Sequence, residues 1–98
     1  MNFSQALSCL KKGQLLQREG WNSKGIFIFK VNGSTFVTPR PPLSEIFGED
    51  CEITYSPHVD MKTADGTITP WLCSLADLFA EDWQTVDKAT TEGLKWDK

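Results

Sequence analysis

The sequence predicts an α+β fold in which antiparallel β-strands are joined by an N-terminal helix and a short C-terminal helix. Three observations predict it. An amphipathic helical stripe is confined to the start of the chain, short β-branched and aromatic runs punctuated by turn residues follow from Gln14 to Thr69, and a capped apolar stripe precedes one last strand-like run.

Phe3, Ala6, Leu7 and Leu10 fall at i, i+3, i+4 and i+7, the spacing that puts apolar side chains on one helix face. Asn2 with Gln5 three residues later forms a capping box, Lys11 and Lys12 suit the C-terminal dipole, and Gly13 suits the left-handed exit. Leu15 to Glu19 reads as a short strand, and Gly20 to Gly25 as a loop. Ile26 to Val31 is a dense strand run with Phe27, Phe29 and Val31 on one face and Ile26 and Ile28 on the other. A strand apolar on both faces must be covered on both, and a chain with so little helix points to a second subunit as one cover. Asn32-Gly33 predicts a tight hairpin with Thr35 to Thr38 returning. Pro39, Pro41 and Pro42 then enforce an irregular connection before a single helical turn over Leu43 to Phe47. Glu52 to Ser56 and His58 to Thr63 read as strands, Asp65-Gly66 as a turn, and Thr67 to Thr69 as a returning edge strand closed by Pro70. Ser74 with Asp77 is a second capping box ahead of the stripe Leu75, Leu78 and Phe79, and Trp83 to Val86 is the last strand. Residues 1–87 thus make one domain, and 88–98 read as a polar, frayed tail containing Trp96.

With 98 residues the chain has room for one modest core, and 40% hydrophobic against 23% charged residues argues against global disorder. A net charge of −3 opposes binding to a nucleic-acid polymer, which needs a basic surface. It leaves room for a small anion, which one or two cations and backbone N–H groups can hold. No apolar run reaches the length of a membrane span. Cys9, Cys51 and Cys73 form no CxxC pair and His58 is the one histidine, so neither a disulfide framework nor a metal site is indicated and no cofactor is expected. The thiols fit a reducing cytoplasm.

Two segments carry candidate chemistry. In Gly20-Trp21-Asn22-Ser23-Lys24-Gly25, Trp21 can offer a flat face to a base while Asn22 and Lys24 meet hydroxyls and phosphates. Equally, Trp21 can fold back as a lid over the sheet. In the strand from His58, His58, Asp60 and Lys62 share one face while Val59 and Met61 face the core. That stripe lacks a second carboxylate or a nucleophile at a fixed offset, so a polar wet face is the plainer reading than catalysis. Thr63-Ala64-Asp65-Gly66-Thr67 can present N–H groups and hydroxyls to an anion, or simply turn a hairpin. Ser74 and Asp77 are first of all helix caps; a helix N-terminus can also receive a phosphate, although Asp77 would repel one unless it faced a ribose.

The opening Met1 to Leu7, the segment Arg18 to Asn22, the block Pro57 to Leu72 and the stretch Ala80-Glu81-Asp82-Trp83 together resemble the Thoeris anti-defence type two family of small phage and prophage proteins. That resemblance covers Met1 to about Val86. It implies a non-enzymatic sponge that binds a cyclic ADP-ribose isomer, such as glyco-cyclic ADP-ribose, without degrading it and so starves the Thoeris effector of its activator. It further implies uptake by some members of cyclic di- or trinucleotides at a separate site, a homotetramer built as a dimer of dimers with pockets between subunits, and action in the bacterial host cytoplasm. On this reading the ligand-binding candidates are Arg18, Trp21, Asn22, Lys24, Phe27, Lys62, Thr63, Ala64, Asp65, Trp71, Ser74 and Asp77. Trp21 would stack on the base, Asn22, Asp65 and Asp77 would meet hydroxyls, and Arg18, Lys24 and Lys62 would meet phosphates. A hydrolase acting through His58 and Asp60, and a protein-interaction inhibitor, are the alternatives. The tail from Lys88 and the cysteine at Cys73, where the family pattern suggests a small alanine, are departures.

Overall fold

Asn2 opens the chain's first helix as the capping box predicts, its side chain accepting from the Gln5 amide at 2.9 Å while the Gln5 side chain accepts from the Asn2 amide at 3.0 Å. The computed structural model of the chain describes residues 1–21, 25–37 and 40–87. Helix α1 (Phe3–Lys11) ends at Gly13, whose φ of 89° is the left-handed exit. Strands β1 (Leu15–Arg18), β2 (Phe27–Val31), β5 (His58–Lys62), β6 (Ile68–Pro70) and β7 (Trp83–Val86) form one antiparallel sheet in the order β6-β5-β2-β1-β7. Strands β3 (Ser34–Val37) and β4 (Glu52–Tyr55) pair with each other alone, with helix α2 (Leu43–Phe47) between them; helix α3 (Leu75–Phe79) precedes β7.

The core follows from register. Leu16 lies opposite Ile28, Arg18 opposite Trp83 and Ile28 opposite Met61, so these residues share the face on which α1 packs. Ala6 and Leu10 of α1 meet Leu16, Ile28 and Trp83, all at most 2% exposed. Phe3, Trp21, Val59, Met61 and Trp71 pack around them. On the opposite face Phe27 and Leu15 are also buried, whereas Phe29 and Val31 are half-buried, so that face of β2 is covered only at its start.

Two expectations need correction. Asn32-Gly33 does not turn a β2–β3 hairpin: β2 is already flanked by β1 and β5, and the chain leaves the large sheet to build the separate β3–β4 ribbon. Gly33 is required for another reason. A Cβ there would sit 2.5 Å from the Tyr55 carbonyl oxygen and 3.1 Å from Pro57, so the root of the ribbon closes only on a residue without a side chain. The stripe Leu75, Leu78 and Phe79 does not enter the core either; all three are exposed, and Asp77 is the buried residue of α3.

Candidate functional site

Antiparallel pairing gathers the C-terminal ends of β1 and β5 and the N-terminal ends of β2 and β7 at one end of the large sheet. There Arg18 lies opposite Trp83, and Phe27 opposite Lys62. The sequence candidates fall into two neighbouring groups at this end.

The first group surrounds Trp83, which is 2% exposed. Its ring meets Phe3 at 5.6 Å, Trp71 edge-on at 6.0 Å and Trp21 edge-on at 5.4 Å between centroids. Its indole N–H donates to the Asp77 carbonyl at 3.0 Å, fixing α3 to the sheet. Trp21 therefore adopts the lid position over the core edge, and being half-buried it keeps part of its surface accessible. Arg18 donates through Nε to Asp82 at 2.9 Å and through Nη1 to Asp77 at 3.0 Å. The first of these bonds, reinforced by the second, raises the Arg18 pKa above its ordinary value. The same bond from Arg18, with the Gly20 amide as a further donor, holds the Asp82 carboxyl below the usual carboxylate range. Asp77 also accepts from the Ser74 amide at 3.3 Å, and Ser74 from the Asp77 amide at 3.0 Å, completing the predicted capping box. Arg18 is thus a clamp joining β1, the α3 N-terminus and the α3–β7 connection. A phosphate approaching it would compete with two carboxylates.

The second group centres on Lys62. Its ammonium donates to the Gly25 carbonyl at 2.9 Å and stands 5.9 Å from the Phe27 ring centroid. At 4% exposure it is not part of a wet stripe; burial beside Phe27 converts it into a strut that holds Gly25 ahead of β2. Beyond it Thr63 donates to Asp65, and the Thr67 hydroxyl and amide reach the same carboxylate at 2.9 and 3.1 Å. The Thr63 hydroxyl bond, with those from Thr67, pulls the Asp65 pKa down to about 2. Ala64 lies in the same exposed turn. His58 and Asp60 stand at the far end and middle of β5, 3.4 Å apart, with the His58 ring against the Ser56 carbonyl at 3.1 Å. Asn22 and Lys24 lie outside the described residues, as does the tail.

Trp83, the residue that organises the first group, reads from its local pattern only as the start of a short strand and otherwise belongs to the Ala80-Glu81-Asp82-Trp83 stretch that carries the family resemblance. The role of Asp82, in the same stretch, is hidden because its partner Arg18 is 64 residues away and nothing local announces the pair. Concavities of about 520, 400 and 170 Å³ lie away from these residues: at Leu15 and Val86, on the β3–β4 ribbon at Phe36 and Tyr55, and between α1 and the start of β5. Among the described residues no cluster of His, Cys, Asp or Glu is arranged to hold a metal, and no helix is long and apolar enough to cross a membrane.

A family model described as a Thoeris anti-defense 2-like domain matches residues 1–86, a span that holds both groups. A protein of Bacillus phage SP01 described as Thoeris anti-defense 2 is 36% identical over 87 residues, which cover 88% of this chain and 94% of that protein.

Proposed function

The chain belongs to the Thoeris anti-defense 2-like family, and on that premise we propose that its anti-defence role is exerted by sequestration: it binds a cyclic ADP-ribose isomer and releases it unchanged. The observation that carries the reading is the family match spanning the sheet end where Arg18, Trp21, Phe27, Lys62, Asp65 and Asp77 collect. The chemistry there suits a binder. Arg18 and Lys62 are engaged in holding α3, the α3–β7 connection and Gly25 in place, which gives a frame with little ordering of these two side chains left to do on binding. Aromatic surface from Trp21 and the Thr63–Thr67 turn flank that frame, matching a base and ribose hydroxyls. In a homotetramer arranged as a dimer of dimers, a second copy would complete the pocket beside these groups. Cyclic di- or trinucleotides would be taken at a separate site, and the protein would act in the bacterial host cytoplasm without a cofactor.

The test is recovery of ligand. Protein is incubated with stoichiometric glyco-cyclic ADP-ribose, denatured by heat, and the supernatant resolved by chromatography. A sponge returns the ligand intact, whereas a hydrolase working through His58 and Asp60 returns product. An inhibitor acting by protein contact would instead show no melting shift with any cyclic nucleotide.

A further inference from the structure

Trp21 keeps accessible aromatic surface at this end of the sheet, and its position is set from the other end of the chain. Its amide donates to the Arg18 carbonyl at 3.0 Å, which closes a tight turn over residues 18–21 at the end of β1. Three bonds tie that turn to the α3–β7 connection, and all three go to Asp82. The Asp82 carbonyl accepts from the Glu19 amide at 3.0 Å. One carboxylate oxygen, Oδ2, accepts from the Gly20 amide at 2.8 Å, and the other, Oδ1, accepts from Arg18 Nε at 2.9 Å. Trp83 follows Asp82 directly, is 2% exposed and meets the Trp21 ring edge-on at 5.4 Å.

Charge and space both single out the bond to Gly20. An amide donating to a carboxylate makes a charge-assisted bond, about twice as strong as a neutral one. The charge persists into acid, because the Arg18 bond, with the Gly20 amide, holds the Asp82 carboxyl below the usual carboxylate range. A Cβ on Gly20 would stand 3.0 Å from Asp82 Oδ2 and 3.6 Å from Arg18 Nη2, so the approach is open to a residue without a side chain and tight for any other.

We propose that Asp82 is a positioning residue of the ligand site: by holding the Gly20 amide and the Arg18 guanidinium together, its carboxylate sets where the Trp21 indole stands, and ligand affinity depends on Asp82 through Trp21. A binding group left about 1 Å loose by its supports loses much of its worth, so the support counts as the contact does. Asparagine is the discriminating replacement. Its amide has one acceptor oxygen and one NH2, so it serves either the Gly20 amide or Arg18 and turns a donor towards the other. The inference rests on the sequestration reading above and adds to it a residue that acts without touching the ligand.

The experiment is calorimetric titration with glyco-cyclic ADP-ribose of wild type, Asp82→Asn, Trp21→Ala and the double variant. Beside it stand 19F spectra of the ligand-free chain labelled with fluorotryptophan, in which the Trp21 resonance is the one missing from Trp21→Phe. Asp82→Asn weakens binding about tenfold in the wild-type background, and by less than about twofold where Trp21 is already alanine. It also shifts or broadens the Trp21 resonance. Gly20→Ala crowds the same bond while Asp82 stays in place, weakens binding in the same direction, and carries the test alone should Asp82→Asn fail to fold. Wild-type affinity in either variant, an unmoved Trp21 resonance, or a loss that persists without Trp21 and so belongs to Arg18 overturns the positioning role and leaves the sequestration reading standing. A wild-type chain that binds no cyclic nucleotide removes both.

Discussion

Replacing Trp21 by alanine separates the two uses of this residue. Cutting a fully buried Trp to Ala costs about 3–5 kcal/mol. Trp21 is half-buried, so roughly half of that, about 2 kcal/mol, is the expected loss, and its edge-on contact with Trp83 at 5.4 Å accounts for about 0.5–1.5 kcal/mol of it. At about 4–8 °C per kcal/mol for a domain of this size, Tm falls by roughly 8–16 °C. Scanning calorimetry at one fixed protein concentration measures this, because assembly makes Tm concentration-dependent. A cycle with Trp83→Leu should return a coupling within the same range, about 0.5–1.5 kcal/mol. Titrating the variant with glyco-cyclic ADP-ribose well below its Tm then isolates the second use. If the accessible part of the indole also stacks on the base, affinity drops a further ten- to hundredfold, the equivalent of about 1–3 kcal/mol. A variant that melts within about 2 °C of wild type refutes the packing argument, because no half-buried Trp in edge-on contact should be that cheap to remove.

Gly33→Ala places a methyl 2.5 Å from the Tyr55 carbonyl and should cost about 1–3 kcal/mol, read as a lower Tm with faster amide exchange in β3 and β4; unchanged exchange there would show that the ribbon root can shift freely. The Asp65 carboxyl has a folded pKa of about 2 against an ordinary 3.8, so its contribution is present above pH 3.8 and disappears as the pH falls towards 2. Asp65→Asn should therefore flatten the Tm–pH curve across that window, and a curve superimposable on wild type would show the Thr63–Asp65–Thr67 bonds to be absent in solution. Ser74→Ala removes the α3 cap and should lower stability by about 0.5–2 kcal/mol in urea titration; a midpoint equal to wild type would mean that the Trp83–Asp77 bond alone secures α3.

What the sequence made legible was local. Both capping boxes and the α1 stripe depend on residues within a few positions of one another, and the structure forms both boxes and buries Ala6 and Leu10 of the stripe, leaving Leu7 partly exposed. What stayed hidden was long-range. Asn32-Gly33 has the chemistry of a hairpin turn, but whether β2 accepts β3 beside it depends on β1 and β5, which had to win both of its edges. Lys62 was read as wet because alternation assigns a face, not what covers that face. Arg18 and Asp77 were read as separate ligand contacts. Only the fold brings them to 3.0 Å, where they hold each other.

The position of β7 beside β1 has a kinetic corollary. The Met1 ammonium donates to the Trp83 carbonyl at 2.8 Å and the Trp83 amide donates back to the Met1 carbonyl at 3.1 Å, so the opening of the chain is stitched to a strand made some eighty residues later. Until Trp83 arrives, α1 has only Leu16 and Ile28 of the core cluster to pack on, and Leu16 lacks one edge of its sheet. At translation rates of about 5–20 residues per second, that wait is on the order of ten seconds, during which the nascent chain exposes Ala6, Leu10, Leu16 and Ile28. Such sequence-distant closure slows folding and places its last step after Val86 has cleared the ribosome. A truncation ending before Trp83 therefore removes the nucleus of the core rather than a peripheral strand.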